Sequence, residues 1–191
     1  MIYPIVAYGH PTLKKRAEDI SEDYPDLPQI IENMFETMYE SVGVGLAAPQ
    51  VNKSIRLFLV DATPYEEEHP EAKNFKKVFI NPKIIEESGE EWEFKEACLS
   101  IPFIAEYVER KPKIRIQYYD ENFKFHDEIY EGILARIIQH EYDHLEGVLF
   151  VEKINPLNKA LIRRKLNEIK TGKVNPAYRM TFAPKKKKNK P

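Results

Sequence analysis

The sequence predicts an α+β fold: mostly antiparallel strands packed around a central helix, with an N-terminal helix and a C-terminal helix. Three observations predict it. Apolar residues recur at helical spacing in three separated stretches. Short runs of alternating or continuous β-branched and aromatic residues lie between them. Strands and helices are segregated along the chain rather than strictly alternating, which favours antiparallel pairing.

The first helix is expected from about Asp26 to Ser41. Asp26 can cap it, and Pro28 is tolerated in the first turn. Leu27, Ile30, Ile31, Met34, Phe35 and Met38 form one stripe, so the two methionines read as core packing. Gly43 and Gly45 are expected to stop the helix. Ile55 to Val60 reads as a buried strand. A polar loop follows from Asp61 to Asn74, with His69 expected to be exposed and inert. Val78 to Ile85 reads as a strand bent at Pro82. Lys113 to Tyr119 alternates, and Phe123 and Phe125 begin its hairpin partner after a polar turn at Asp120–Asn122. His126 on that strand reads as a solvated or satisfied edge residue. The central helix is expected from about Gly132 to Glu146, closed by Gly147. The C-terminal helix is expected from Pro156 to Lys170, with Leu157, Leu161, Ile162, Leu166 and Ile169 as its stripe.

The chain has 191 residues, 42% of them hydrophobic and 31% charged. That is enough apolar material for one core, which excludes wholesale disorder. No apolar run approaches the ~20 residues of a membrane span, and the first residues lack the basic start of a secretion signal. One cysteine, Cys98, allows no intramolecular disulfide. A reducing, cytoplasmic setting is the expectation. The net charge of −2 is unevenly spread, because six basic residues and no acidic one lie in the last thirteen. We expect residues 1–172 to be the folded domain and 173–191 a basic, flexible tail. Such a tail is a possible contact for nucleic acid or the ribosome.

The sharpest chemical signal is Gln139-His140-Glu141-Tyr142-Asp143-His144. Four residues along a helix turn about 400°, so His140 and His144 share a face. Two imidazoles so placed can converge on one metal ion. Glu141 is displaced one step round, where it can hold a water beside the metal. Glu141 also falls within the apolar stripe of Leu134, Ile137, Ile138 and Leu145. A carboxylate there is costly unless it lines a cavity. Burial would raise its pKa toward neutrality, and a nearby cation would lower it. A third ligand is needed. Downstream, Glu146 is too close in sequence, Glu152 is possible, and no histidine remains. Upstream stands Cys98, among Trp92, Phe94 and Leu99. A Cys-His-His set with one open position would be a catalytic site. Gly43 to Gln50 reads either as a helix end running into a tight turn or as a loop whose Gln50 donates to a developing oxyanion.

These segments together resemble the peptide deformylases. Gly43-Val44-Gly45-Leu46-Ala47-Ala48-Pro49-Gln50 matches the family's first motif. Glu96-Ala97-Cys98-Leu99-Ser100 matches the second, except that Ala97 replaces a glycine. Gln139 to Gly147 matches the third at every defined position. Order and spacing agree over roughly residues 5 to 170. The resemblance implies a metal-dependent hydrolase that removes the formyl group from N-formylmethionyl nascent peptides and releases formate. It implies Cys98, His140 and His144 as ligands of one divalent ion, Fe2+ first, with Zn2+, Ni2+ or Co2+ possible. It implies Glu141 as general base and acid, and Gln50 and the backbone N–H of Leu99 as oxyanion donors. Gly45 would bond the substrate backbone, and Val44, Ile137 and His140 would wall the methionine pocket. A transient ribosome partner follows, with no membrane and no specific DNA. Two departures stand out. If the backbone at Ala97 needs positive φ, alanine costs about 1–2 kcal/mol. Ala105 stands where many bacterial relatives carry an arginine. Glu96 and Asp143 read as supports of the ligands, with Arg110 as a partner for Asp143.

Overall fold

A computed structural model describes residues 1–184. The alternating stretches become a five-stranded antiparallel sheet of order β2-β3-β4-β7-β8. Its strands are β2 (Gly45–Ala47), β3 (Leu57–Asp61), β4 (Lys76–Ser88), β7 (Lys113–Tyr119) and β8 (Phe125–Glu131). A separate antiparallel hairpin joins β5 (Trp92–Cys98) to β6 (Ile101–Arg110). A short parallel pair joins β1 (Ile5–Val6) to β9 (Met180–Thr181). The helices are α1 (Leu27–Glu40), α2 (Gly132–Leu145) and α3 (Pro156–Lys170). The fold is the expected α+β arrangement, with α2 against the sheet at its centre. Phe58, Phe79 and Tyr118 stack between them, with ring centroids 4.6 and 4.3 Å apart. Met34 and Met38 of α1 are fully buried in a second core. Among the described residues, no helix is long and apolar enough to cross a membrane.

Several local expectations are corrected. Asp26 precedes α1 in the left-handed region (φ 58°), and its side chain makes no capping bond. Pro28 at the second helical position lacks one of the N–H groups that a cap would engage. The stop at the other end is not made by glycine. Val42 takes the left-handed position (φ 58°). The N–H groups of Val42 and Gly43 donate to the carbonyls of Tyr39 and Met38 at 3.0 and 2.8 Å. That is the bonding of a Schellman turn, built on a β-branched residue whose side chain is 91% exposed. Phe123 belongs to the turn (φ 55°) and not to β8, since its N–H donates to the Asp120 carbonyl at 2.9 Å. On α3, Ile162, Leu166 and Ile169 are buried, but Leu157 and Leu161 are 72% and 73% exposed. Those two lie roughly 100–140° round the helix from the buried line.

His69 is half-buried against Tyr65 rather than exposed, within a loop that contains two short 3-10 turns. His126 is a satisfied edge residue, bonded to Asp120 at 2.7 Å and stacked on Tyr118. The expected tail boundary at 172 falls short of where packing ends. Tyr178, Met180 and Phe182 pack on the apolar cores, and Met180–Thr181 pair with Ile5–Val6. Alternation of apolar residues in that stretch outweighs its basic context. The lysine run 185–188 lies outside the described residues.

Candidate active site

Helix α2 is amphipathic in an unusual way, because its buried face carries polar residues. Ile133, Leu134, Ile137, Ile138 and Leu145 bury against the sheet and β2. Glu141, only 5% exposed, sits among them as its place in the stripe predicted. One step round, His140 and His144 face the same way, with ring centroids 5.2 Å apart. The β5–β6 hairpin brings Cys98, the last residue of β5, to these rings. Its Sγ lies 3.3 Å from His144 Nε2. One donor atom from each of Cys98, His140 and His144 lies within 4.8 Å of the others. The downstream alternatives are engaged elsewhere. Glu152 bonds Lys14 and the Leu149 N–H, and Glu146 pairs with Arg56 and Arg16.

The surroundings orient these groups. Glu96 accepts from His140 Nδ1 at 2.9 Å, which leaves Nε2 of that ring for the donor cluster. Glu96 is itself gripped by Arg110 through two bonds of 2.7 and 2.9 Å and by Arg136 at 2.9 Å. Arg110 reaches on to Asp143 at 2.7 Å, the partnership read from sequence. Burial opposes ionisation of Glu96, but Arg110 and His140 hold its pKa far below the usual carboxylate range. Burial also opposes charge on His140, yet Cys98 and Glu96 hold its pKa well above 6.5. Burial and the His140 charge push His144 well below it.

Glu141 has no such partner. Burial pushes its pKa up to about 7, against the pull of His140. Among the described residues, its buried Oε2 has no hydrogen-bond partner, as is true of His144 Nδ1. The other oxygen explains Gly45. A Cβ at residue 45 would lie 2.5 Å from Glu141 Oε1, so only glycine lets β2 pass so close.

Gln50 follows β2 in a 3-10 turn at Ala48–Val51. Its Oε1 accepts from the Ala47 N–H at 2.8 Å. That leaves its Nε2 aimed at Cys98 Sγ at 3.5 Å and at Ser100 Oγ at 3.4 Å, the second a long contact. A cavity of about 520 Å³ opens over this arrangement. Val44, Gly45, Gln50, Cys98, Leu99, Ile137, His140 and Glu141 all line it, while His144 lies behind the lining. The residues of the three motifs that were singled out for catalysis, substrate and metal binding are therefore gathered at one place. Ala97 is not among the residues with positive φ, so its methyl carries no backbone strain.

A model of the polypeptide deformylase family matches residues 2–160 of this chain. The chain belongs to that family. Among curated deformylases, that of Flavobacterium psychrophilum is 55% identical over 98% of this chain and all of its own length. That of Christiangramia forsetii is 54% identical over 98% and 99%. Solved deformylases share the fold. One from Plasmodium falciparum superposes with a TM-score of 0.78 at 43% identity, covering 86% of this chain and 94% of its own. One from Legionella pneumophila gives 0.78 at 36%, covering 91% and 98%. All three deformylase motifs lie inside the matched stretch.

Sequence reasoning missed three residues of the site. Arg136, buried under Trp92 and Phe94, stands in an apolar run, and that position was its only signal. Phe103 lines the cavity in the left-handed region (φ 65°). Tyr178 lines it from the C-terminal segment.

Proposed function

We propose that Cys98, His140 and His144 hold one divalent metal ion beside Glu141, with Gln50 and the Leu99 N–H facing the reacting carbonyl. This chain is a peptide deformylase, a hydrolase that removes the N-terminal formyl group from N-formylmethionyl peptides. The donor set fits a metal. Three donors of mixed sulfur and nitrogen type converge, one ring is oriented by a carboxylate, and a buried carboxylate oxygen without a partner among the described residues adjoins them. That set accepts several first-row ions, and we propose Fe2+, with Zn2+, Ni2+ or Co2+ as alternatives. Bound there, the ion supplies the positive charge that lets a water act as a nucleophile near neutral pH.

The chain's own residues supply the rest. Glu141, poised near neutrality by burial, takes a proton from the attacking water. It then returns one to the departing amine. Gln50 Nε2 and the Leu99 N–H donate to the oxygen of the formyl group as it gains charge. One such donor is worth roughly 3–4 kcal/mol. Gly45 offers its backbone to the peptide, while Val44, Ile137 and His140 wall the methionine side chain. A formyl carbon bears only hydrogen, so a close-fitting site excludes acetyl groups by size.

The observation that carries this reading is the convergence of the three donor atoms beside buried Glu141. The test is formate release from formyl-Met-Ala by anaerobically purified protein, with metal analysis on the same sample. Cys98→Ser should lose or exchange the metal. Glu141→Ala should keep it and lose turnover by orders of magnitude. Normal rates in either variant would remove that residue from its role. We further propose a cytoplasmic enzyme that meets the ribosome transiently through its lysine-rich end. Salt-dependent ribosome binding by the full chain, lost on removing residues 185–191, is the corresponding measurement.

A further inference from the structure

The turn between β5 and β6 is built against its own preference. Cys98 pairs with Ile101, so Leu99 and Ser100 form a two-residue hairpin loop. Such loops favour types with positive φ, which match the twist of the strands. Neither Leu99 nor Ser100 has positive φ, and the ladder shifts register between Ala97 and Cys98. Outside bonds hold the turn instead. The Tyr8 N–H donates to the Ser100 carbonyl at 2.8 Å. The Tyr178 hydroxyl donates to the Leu99 carbonyl at 2.7 Å. Tyr178 is held firmly in turn. Two residues beyond it, Met180 and Thr181 pair with β1. The Arg179 and Thr181 carbonyls accept from Ile5 and Ala7 at 2.8 Å each. Tyr178 also packs in the core that contains α1 and β3, beside Leu99.

We propose that Tyr178 is a positioning residue for the deformylation step, because its hydroxyl fixes the Leu99 backbone and so aims the Leu99 N–H at the formyl oxygen. The proposal rests on Leu99 as an oxyanion donor. Among the described residues the hydroxyl makes no hydrogen bond to Cys98, His140 or His144, and in this role it transfers no proton to or from the substrate. It adds an anchor to a turn whose backbone lacks the positive-φ geometry that two-residue hairpin loops favour. Preorganised donors help only when they are already aimed where charge develops. A loosened Leu99 would therefore penalise the transition state more than bound substrate.

Tyr178→Phe keeps the ring and deletes the bond. In the metal-loaded enzyme acting on formyl-Met-Ala, kcat should fall about three- to ten-fold, the range of one lost hydrogen bond. KM should stay within about twofold, and metal content should match the parent. Unchanged kcat would overturn the proposal. So would a lower melting temperature with unchanged kcat for folded enzyme, which is a purely structural role. So would a raised KM with unchanged kcat, which is a substrate contact. Tyr178→Leu must lower kcat at least as far. Gln50→Ala, measured alongside, separates the two levels. A large loss there with none in Tyr178→Phe refutes only the positioning role, whereas no loss in either variant refutes the oxyanion reading beneath it.

Discussion

Replacing Gly45 with alanine tests the site geometry most directly. The added Cβ would lie 2.5 Å from Glu141 Oε1 and 2.8 Å from both Cδ and Cγ. Ordinary contact needs about 3.4 Å or more, so the carboxylate must retreat by roughly 0.9 Å. The strand cannot yield as easily, because Gly45, Leu46 and Ala47 are paired to β3. A displacement of that size at a reacting group costs about 10²-fold in rate. Overpacking costs about 1–3 kcal/mol of stability. The three atoms nearest the new methyl all belong to Glu141 and none to Cys98, His140 or His144, so metal content should hold. The assay is kcat for formate release, with a thermal melt and metal analysis of the same preparation. A Gly45→Ala enzyme with near-parental kcat would show that Glu141 need not occupy its place against β2, and the reasoning would fail.

Other outcomes follow from single features. Val42→Gly should stabilise the protein by about 1 kcal/mol, because it relieves a left-handed β-branched residue that packs against almost nothing; an unchanged or lower denaturation midpoint counts against it. Arg110→Met should cost about 3–5 kcal/mol in denaturant unfolding, since it strips the bidentate partner from buried Glu96; a cost below 1 kcal/mol would mean Arg136 and His140 suffice. Glu128 carries the clearest acid dependence. Partial burial pushes its pKa up, but Lys77, Tyr118 and Tyr130 pull it down from 4.5 to about 2. Its contribution is thus complete above pH 4.5 and lost as pH falls through about 2. Glu128→Gln should flatten the stability profile in that window, and an unaltered profile would be the contrary result.

The site was legible where local periodicity and chemistry coincide. His140, Glu141 and His144 announce themselves through helical spacing, and Glu141 through its cost in an apolar stripe. Cys98 was less legible, because a lone cysteine says little until a distant helix needs a ligand; motif resemblance supplied the link. What escaped notice depends on backbone conformation or on contacts distant in sequence. Nothing local says that Val42 and Phe103 adopt positive φ, since both are residues that normally avoid it. Strand β6 was missed because exposed Phe103 and Tyr107 blur its alternation. The segment around Tyr178 was masked by its basic neighbours. The extended stripe assigned to α3 failed because apolar type alone does not say which side of a helix meets the body.

The pairing of β1 with β9 joins residues 5–6 to residues 180–181. Such a closure is entropically dear to reach, though its cost grows only slowly with the length enclosed. During synthesis the first strand emerges long before its mate exists. A hydrolase of nascent chains is thus itself unfinished until residue 181 has been added, and a product that stops short of it lacks the clasp on its own oxyanion turn. Because these two segments lie side by side, a rearranged chain that joined them directly and opened at an exposed loop would carry the clasp from the start of synthesis.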